Sequence, residues 1–190
     1  MNIETIPVGF LQTNCYIVDD GKYAAVIDPG DDAKKLLDYI EKKGLICERI
    51  LLTHGHYDHI GAVFALKQKT GAKVLINEKD KISLRFEPDE TVSDGDVIKA
   101  GQLEFACMET PGHSEGSVCY ICGDCLFSGD TLFLESVGRT DLPGGDFETL
   151  RHSLEKINAL PEEDMRVFPG HAAPTTLAHE RRCNMFMRIV

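Results

Sequence analysis

The stretch THGHYDH, residues 53–59, brings His54, His56, Asp58 and His59 together directly after an apolar run. His54 and His56 lie two positions apart, so at an extended strand end their side chains point the same way. Asp58 and His59 follow where a helix begins, and a bend there can aim them at a neighbouring point. Neutral imidazoles and a carboxylate are costly to bury without partners. A pair of divalent metal ions supplies such partners. Imidazole nitrogen and carboxylate oxygen are the ligands zinc takes, and iron and manganese take them too. The alternative is a solvated loop that happens to be rich in histidine, and the tight spacing argues against it.

Three distant residues extend the pattern: His113 in TPGHSEGS, Asp130 in FSGDTLF and His171 in FPGHAAPTT. Each directly follows a glycine that itself follows a strand-like segment. A strand ending in a tight loop at one rim of a sandwich gives that arrangement. Only two of the seven histidines, His152 and His179, fall outside such contexts. They lie in helical patterns, read as surface residues, and are assigned no role.

The elements that position these residues are legible as alternating periods. NIETIPV, NCYIV and YAAVID read as strands, with DDGK a polar turn between the last two. DDAKKLLDYIEKKG reads as a helix capped by Asp31 or Asp32, with Leu36, Leu37 and Ile40 on its apolar face and Gly44 at its end. ERILLT is a buried strand, HIGAVFALKQKTG a helix closed by Gly71, and KVLIN another strand. Further on, DVIKAGQLEFACME predicts a hairpin around Ala100-Gly101 and GSVCYICGDCLFSGD a second around Gly123-Asp124. Helical patterns return at DFETLRHSLEKINAL and near the C-terminus. Two β-rich halves separated by helices predict an α/β protein with two packed sheets and helices outside. At 190 residues and 43% hydrophobic content, one domain over residues 1–190 is expected.

Composition narrows the partners. Twenty basic against 31 acidic residues give a net charge of −11, which repels a phosphate backbone and argues against nucleic acid. No apolar run approaches the roughly 18 residues a membrane span needs, and MNIETIPVGF has neither the basic start nor the apolar middle of a signal peptide. A cytoplasmic protein with no membrane partner is expected. Seven irregularly spaced cysteines fit reduced, mostly buried thiols better than a disulfide frame. Cys119, Cys122 and Cys125 in CYICGDC have the spacing of a zinc or iron–sulfur site, but a turn at Gly123-Asp124 sets Cys122 opposite Cys125 and no fourth ligand is apparent. They read as strand residues.

THGHYDH, followed by glycine-led His113, Asp130 and His171, resembles the metallo-β-lactamase fold superfamily, and in its T-H-x-H-x-D-H form the glyoxalase II-like hydrolases. The likeness runs from TNCYIV and VIDPG through FPGH. It implies a four-layer αββα sandwich. It also implies that His54, His56 and His113 bind one metal ion, that Asp58, His59 and His171 bind a second, and that Asp130 bridges them. Two divalent ions, zinc first and iron or manganese otherwise, would hold a hydroxide that attacks a carbonyl, with Asp58 orienting the nucleophile. His59, and Asp130 where zinc β-lactamases usually carry cysteine, set antibiotic hydrolysis aside.

The implied activity is hydrolysis of a small thioester such as S-lactoylglutathione. The short stretch after His171 leaves no room for the helical glutathione-binding domain of full-length glyoxalase II, so the chain resembles the short members of that group. In them the loop after Asp130 lines the pocket. Arg139 in VGRTDLPGGDFETL then either grips a substrate carboxylate by paired hydrogen bonds or pairs with Asp141 or Asp146. Asp28 in VIDPG either supports the ligands from behind or shapes its turn. A persulfide dioxygenase, resembled in GRTD, would use one iron on His54, His56, His113 and Asp130. Another ester, a lactone or a phosphodiester are alternative substrates, and a non-catalytic metal-binding module is a third class that the intact ligand set disfavours.

Overall fold

The computed structural model describes residues 1–161 and 165–188. Strands β1 (Asn2–Val8), β2 (Thr13–Asp19), β3 (Tyr23–Ile27), β4 (Ile46–Leu51), β5 (Lys73–Asn77) and β6 (Glu90–Val92) form one sheet in chain order. The first three run antiparallel and β3 to β6 parallel. Parallel neighbours need crossovers. Helix α1 (Ala33–Lys43) makes the first, and α2 (Tyr57–Ile60) with α3 (Val63–Thr70) makes the second. The other sheet runs β14 (Thr175–Thr176), β13 (Arg166–Pro169), β10 (Cys125–Gly129), β9 (Val118–Cys122), β8 (Leu103–Glu109), β7 (Val97–Ala100). A small ribbon of β11 (Leu132–Phe133) and β12 (Ser136–Val137) stands apart, and α4 (Phe147–Asn158), α5 (Leu177–Cys183) and α6 (Met185–Arg188) complete the fold.

The period of two along each strand sorts the apolar residues into three layers. Tyr16, Val18, Ile27, Leu51 and Leu75 of the first sheet face Phe105, Tyr120, Phe127 and Phe168 of the second, and this is the core between the sheets. Their sequence neighbours Ile17, Val26, Ile50 and Val74 point outward against Leu36 and Ile40 of α1 and Leu66 of α3. On the far side Cys119, Leu126 and Val167 meet Leu154 and Ile157 of α4 and Leu177 of α5. Helix, sheet, sheet, helix is the expected αββα order. β2 is buried along its whole length, and its central run Cys15-Tyr16-Ile17-Val18 is continuous rather than alternating in apolar character.

Both hairpins sit where the sequence places them, with Ala100 opposite Leu103 and Cys122 opposite Cys125. Two expectations change. Asp32 stands at the start of α1 in a left-handed conformation (φ 51°) without a side-chain cap, and its carboxylate instead accepts the Gly9 amide at 3.1 Å. The helix expected from His59 to Gly71 begins earlier and is broken at Gly61-Ala62. The Ala62 amide donates to the Pro29 carbonyl, 2.9 Å away after β3, and this interrupts the helical ladder.

One rim of the sandwich collects the loops. β3, β4 and β5 end there, as do β8, β10 and β13, and β2 begins there because it runs opposite to β3. Chain segments leaving the carboxyl ends of parallel strands are where open α/β sheets place ligands.

Candidate metal centre

His54 and His56 leave the end of β4, and Asp58 and His59 lie on the short helix α2. His113, Asp130 and His171 follow β8, β10 and β13 of the opposite sheet. All seven converge. Ligand atoms of His54, His56 and His113 lie within 4.8 Å of one another, as do those of Asp58, His59 and His171. Asp130 stands between the groups, with His113 Nε2 at 3.5 Å, His59 Nε2 at 3.4 Å and His171 Nε2 at 3.6 Å.

Hydrogen bonds behind the imidazoles assign their tautomers. Thr53 donates its hydroxyl to Asp28 Oδ2 at 2.6 Å, so its oxygen accepts from His54 Nδ1 at 3.0 Å and leaves His54 Nε2 as a lone pair. His59 Nδ1 donates to Asp28 Oδ2 at 2.9 Å, and His113 Nδ1 to the Arg139 carbonyl at 2.7 Å. Each of these rings therefore offers Nε2 to the cleft, the arrangement in which an outer acceptor orients a metal ligand. His54 Nε2, His59 Nε2 and Asp130 Oδ1 are buried with no hydrogen-bond partner among the described residues. Buried polar atoms without partners are expensive, and a divalent cation, displacing any proton from the ring nitrogens, is the partner that satisfies nitrogen and carboxylate acceptors together. The donor set fits two such ions.

The electrostatics differ between the groups. Burial, with His59 nearby, holds His54 well below the usual imidazole range, and burial with His113 lowers His56. Burial also opposes charge on His59, but the Asp130 and Asp28 carboxylates override it and hold that imidazole well above the usual range. The hydrogen bond to Asp58 raises His171. Asp58 and Asp130 stay ionised: burial works against them, but the surrounding histidines, and for Asp58 also the Thr13 hydroxyl, outweigh it. A proton and a metal compete for the same Nε2. At His59 and His171 the proton competes from above about pH 6.5, whereas at His54 and His56 it does so only at lower pH. On stepped acidification an ion held by Asp58, His59 and His171 should leave before one held by His54, His56 and His113. Metal content after dialysis at each pH checks this, and loss of both ions in one step counts against it.

Four supporting residues escape sequence reading. Thr13 donates to Asp58 Oδ2 at 3.0 Å, and Asn14 holds the loop of His171 through the Pro169 and Ala172 carbonyls at 3.0 and 2.9 Å. Thr53 does so as above. Asp80, buried after β5, accepts the Gly55 amide at 2.8 Å, the Gly116 amide at 2.9 Å and the Ser114 hydroxyl at 2.6 Å. It ties the loop of His54 and His56 to the loop of His113. Asp80→Ala leaves these donors without an acceptor, and a loss of ~3 kcal/mol in stability is expected, with metal affinity ~10–100-fold weaker at the first group. Thermal melting and metal titration measure both. For Thr13, Thr53 and Asn14 the signal available was a polar residue at the rim end of a buried strand.

Asp28 has both roles considered for it: it shapes its turn with a positive φ of 50° and orients His59 and, through Thr53, His54. Arg139 pairs with Asp141 by two hydrogen bonds of 2.6 and 2.7 Å, while Asp146 caps α4. Arg139 nevertheless lines the cleft of about 470 Å³ that contains His56, Asp58, His113, Asp130 and His171. Leu11, Tyr57, Phe133, Val137 and Leu142 supply its apolar lining. Cys119 faces the α4 layer while Cys122 and Cys125 face the opposite sheet, so the three share no point. Burial pushes the Cys119 thiol up to about 11 and the Cys125 thiol up to about 12. His152 is exposed, and His179 is half-buried against Glu135.

An αββα sandwich with a cleft of converging imidazoles and carboxylates at one rim defines a metallo-hydrolase. The sequence model of the metallo-beta-lactamase superfamily matches residues 8–171, and the chain belongs to that superfamily. It is 38% identical to the hydroxyacylglutathione hydrolase GloC of Haemophilus influenzae, over 98% of both chains. Among solved structures, the BLEG-1 B3 metallo-beta-lactamase superposes with a TM-score of 0.93 at 36% identity, over 98% of this chain and 99% of that one. TTHA1623, crystallised in a di-iron-bound form, gives 0.85 at 38% identity, over 96% of this chain and 99% of that one. No helix among the described residues is long and apolar enough to cross a membrane.

Proposed function

We infer that the protein hydrolyses small acyl thioesters in a dinuclear, zinc-loaded cleft. The observation that carries this reading is the pair of three-residue groups converging on Asp130, with the Nε2 atoms of His54, His59 and His113 turned inward. The likeness to a hydroxyacylglutathione hydrolase supports the thioester. Two divalent ions, when bound, supply a water acidified toward neutral pH and positive charge for a developing oxyanion. The chain's own residues do the rest. His54, His56 and His113 would hold one ion and Asp58, His59 and His171 the other, with Asp130 placed to serve both.

Asp58, fixed by Thr13 and His171, stays ionised and so acts as a ligand and an orienting acceptor rather than as an acid. A thioester suits that arrangement because thiolate leaves without being protonated. Arg139 would meet a substrate carboxylate only by exchanging Asp141 for it. A mononuclear iron dioxygenase would use His54, His56, His113 and Asp130 and leave Asp58, His59 and His171 unfilled, so metal content separates the two readings. A reducing cytoplasm is the setting that goes with six buried free thiols.

Metal content per chain, measured with S-lactoylglutathione hydrolysis on the same sample, tests the reading. Two metals with turnover support it; a single iron with oxygen uptake and no hydrolysis overturns it. The name of BLEG-1 supplies a second reading, β-lactam hydrolysis, against which His59 and Asp130 count. A β-lactam assayed beside the thioester decides between them. Asp58→Ala should leave a single metal and lower turnover by at least about 100-fold. Full activity with one metal per chain would sink the dinuclear mechanism.

A further inference from the structure

Away from the cleft, three side chains with metal-ligand chemistry meet on the outer surface of α5. His179 and Cys183 are four residues apart on that helix and therefore share a face. Glu135, in the turn between β11 and β12, reaches the same point, with Oε1 2.9 Å from His179 Nε2. Ligand atoms of Glu135, His179 and Cys183 all lie within 4.8 Å of one another. None of these residues belongs to the cleft.

The meeting is built by groups other than the three themselves. Glu135 has a left-handed backbone, φ 54°, which residues with side chains rarely adopt. Fully buried Glu180 fixes it, accepting the Glu135 amide at 2.8 Å, the Thr175 hydroxyl at 2.7 Å and Asn184 Nδ2 at 2.9 Å. Asn184 also donates to the Ser136 carbonyl at 3.0 Å, so the ribbon is fastened to α5 at two consecutive residues. Cys183 is exposed and unpaired, in contrast to the six buried cysteines.

We propose that Glu135, His179 and Cys183 form a peripheral site for a thiophilic divalent ion of the zinc type. One thiolate, one imidazole and one carboxylate are zinc donors, whereas magnesium and calcium select oxygen alone. Three protein ligands leave a fourth position for water. Binding releases the Cys183 thiol proton to solvent, so the site fills more readily as pH rises. The ion would cross-link the ribbon to α5. The same ribbon carries Phe133, whose ring meets His171 edge-on at 6.1 Å, and Val137 on the cleft wall. A bound ion therefore stiffens one side of the cleft without entering it.

Sulfur makes the site observable on its own, because the cleft ligands are nitrogen and oxygen only. Cadmium added to the metal-loaded protein should produce a thiolate-to-cadmium charge-transfer absorption that saturates at one equivalent. Exchange of cadmium into the cleft adds no such band. Cys183→Ser, at an exposed position, should fold normally and abolish the band. His179→Ala and Glu135→Gln should each weaken cadmium binding at least ~10-fold. Absence of the band in the unaltered protein overturns the site, as does its persistence in Cys183→Ser. Unchanged affinity in His179→Ala reduces it to a lone thiol and overturns it equally.

Discussion

Asp130→Ala is expected to lower thioester turnover by about a thousandfold or more, ~4 kcal/mol of transition-state stabilisation. Asp130 is the residue that faces both groups of histidines, with three Nε2 atoms between 3.4 and 3.6 Å from its oxygens. Its carboxylate also holds the charge on His59. Alanine removes the shared acceptor and leaves two clusters of imidazoles facing each other across a gap. Asp130→Asn separates charge from shape: the side chain fills the same space but offers one neutral oxygen. We expect it to fold, to retain at most one firmly bound metal and to lose nearly as much activity as alanine. Turnover within tenfold of the unaltered protein in Asp130→Asn, with two metals retained, would refute the shared role.

Gly30→Ala should cost ~4 kcal/mol or more in stability, enough to unfold a protein of ordinary margin. Gly30 follows β3, and a Cβ there would fall inside the van der Waals shell of the Asp58 carbonyl, with no flexible side chain to give way. The backbone of α2 must move, and Asp58 and His59 move with it. Gly21→Ala is the comparison. Gly21 has a positive φ, 98°, which Gly30 does not, but nothing stands near its Cβ position, so only the conformational penalty of ~1 kcal/mol applies. Thermal melting of both variants, with metal content, checks the contrast. Similar melting temperatures for the two would show that the contact between Gly30 and α2 yields easily.

The seven cleft residues were legible because chemistry and punctuation coincide in them: a costly polar side chain at a strand end and, for His56, His113, Asp130 and His171, directly after a glycine. The layers were legible because strand alternation names two faces at once, as in Tyr16 and Ile17 or Leu51 and Leu52. What the sequence hid was interaction at long range. Asp80 sits in an unremarkable polar stretch, and its importance comes from two loops that reach it from residues 55 and 114–116. The break in the second helix has the same origin, since the Pro29 carbonyl that captures the Ala62 amide belongs to a different loop. Short β11, β12 and β14 have two residues each, too few for any period to show. Arg139 shows the limit from the other side. Its side-chain alternatives could be enumerated, but the use of its carbonyl to orient His113 could not.

The cleft draws four of its side chains from loops of one sheet and three from loops of the other. Neither half can assemble it alone. Any ion bound there is thus a fastener between two slabs otherwise joined by an apolar core and a few hydrogen bonds, among them Asn14 to the Pro169 carbonyl and Tyr120 to the Leu52 carbonyl, and its affinity becomes a contribution to folding. Occupancy at a thousand times the dissociation constant adds ~4 kcal/mol per site to the native state alone. The catalyst and its scaffold then share one equilibrium: a cell that starves this protein of metal lowers not only its turnover but its lifetime, and inactive copies are the ones first exposed to proteolysis.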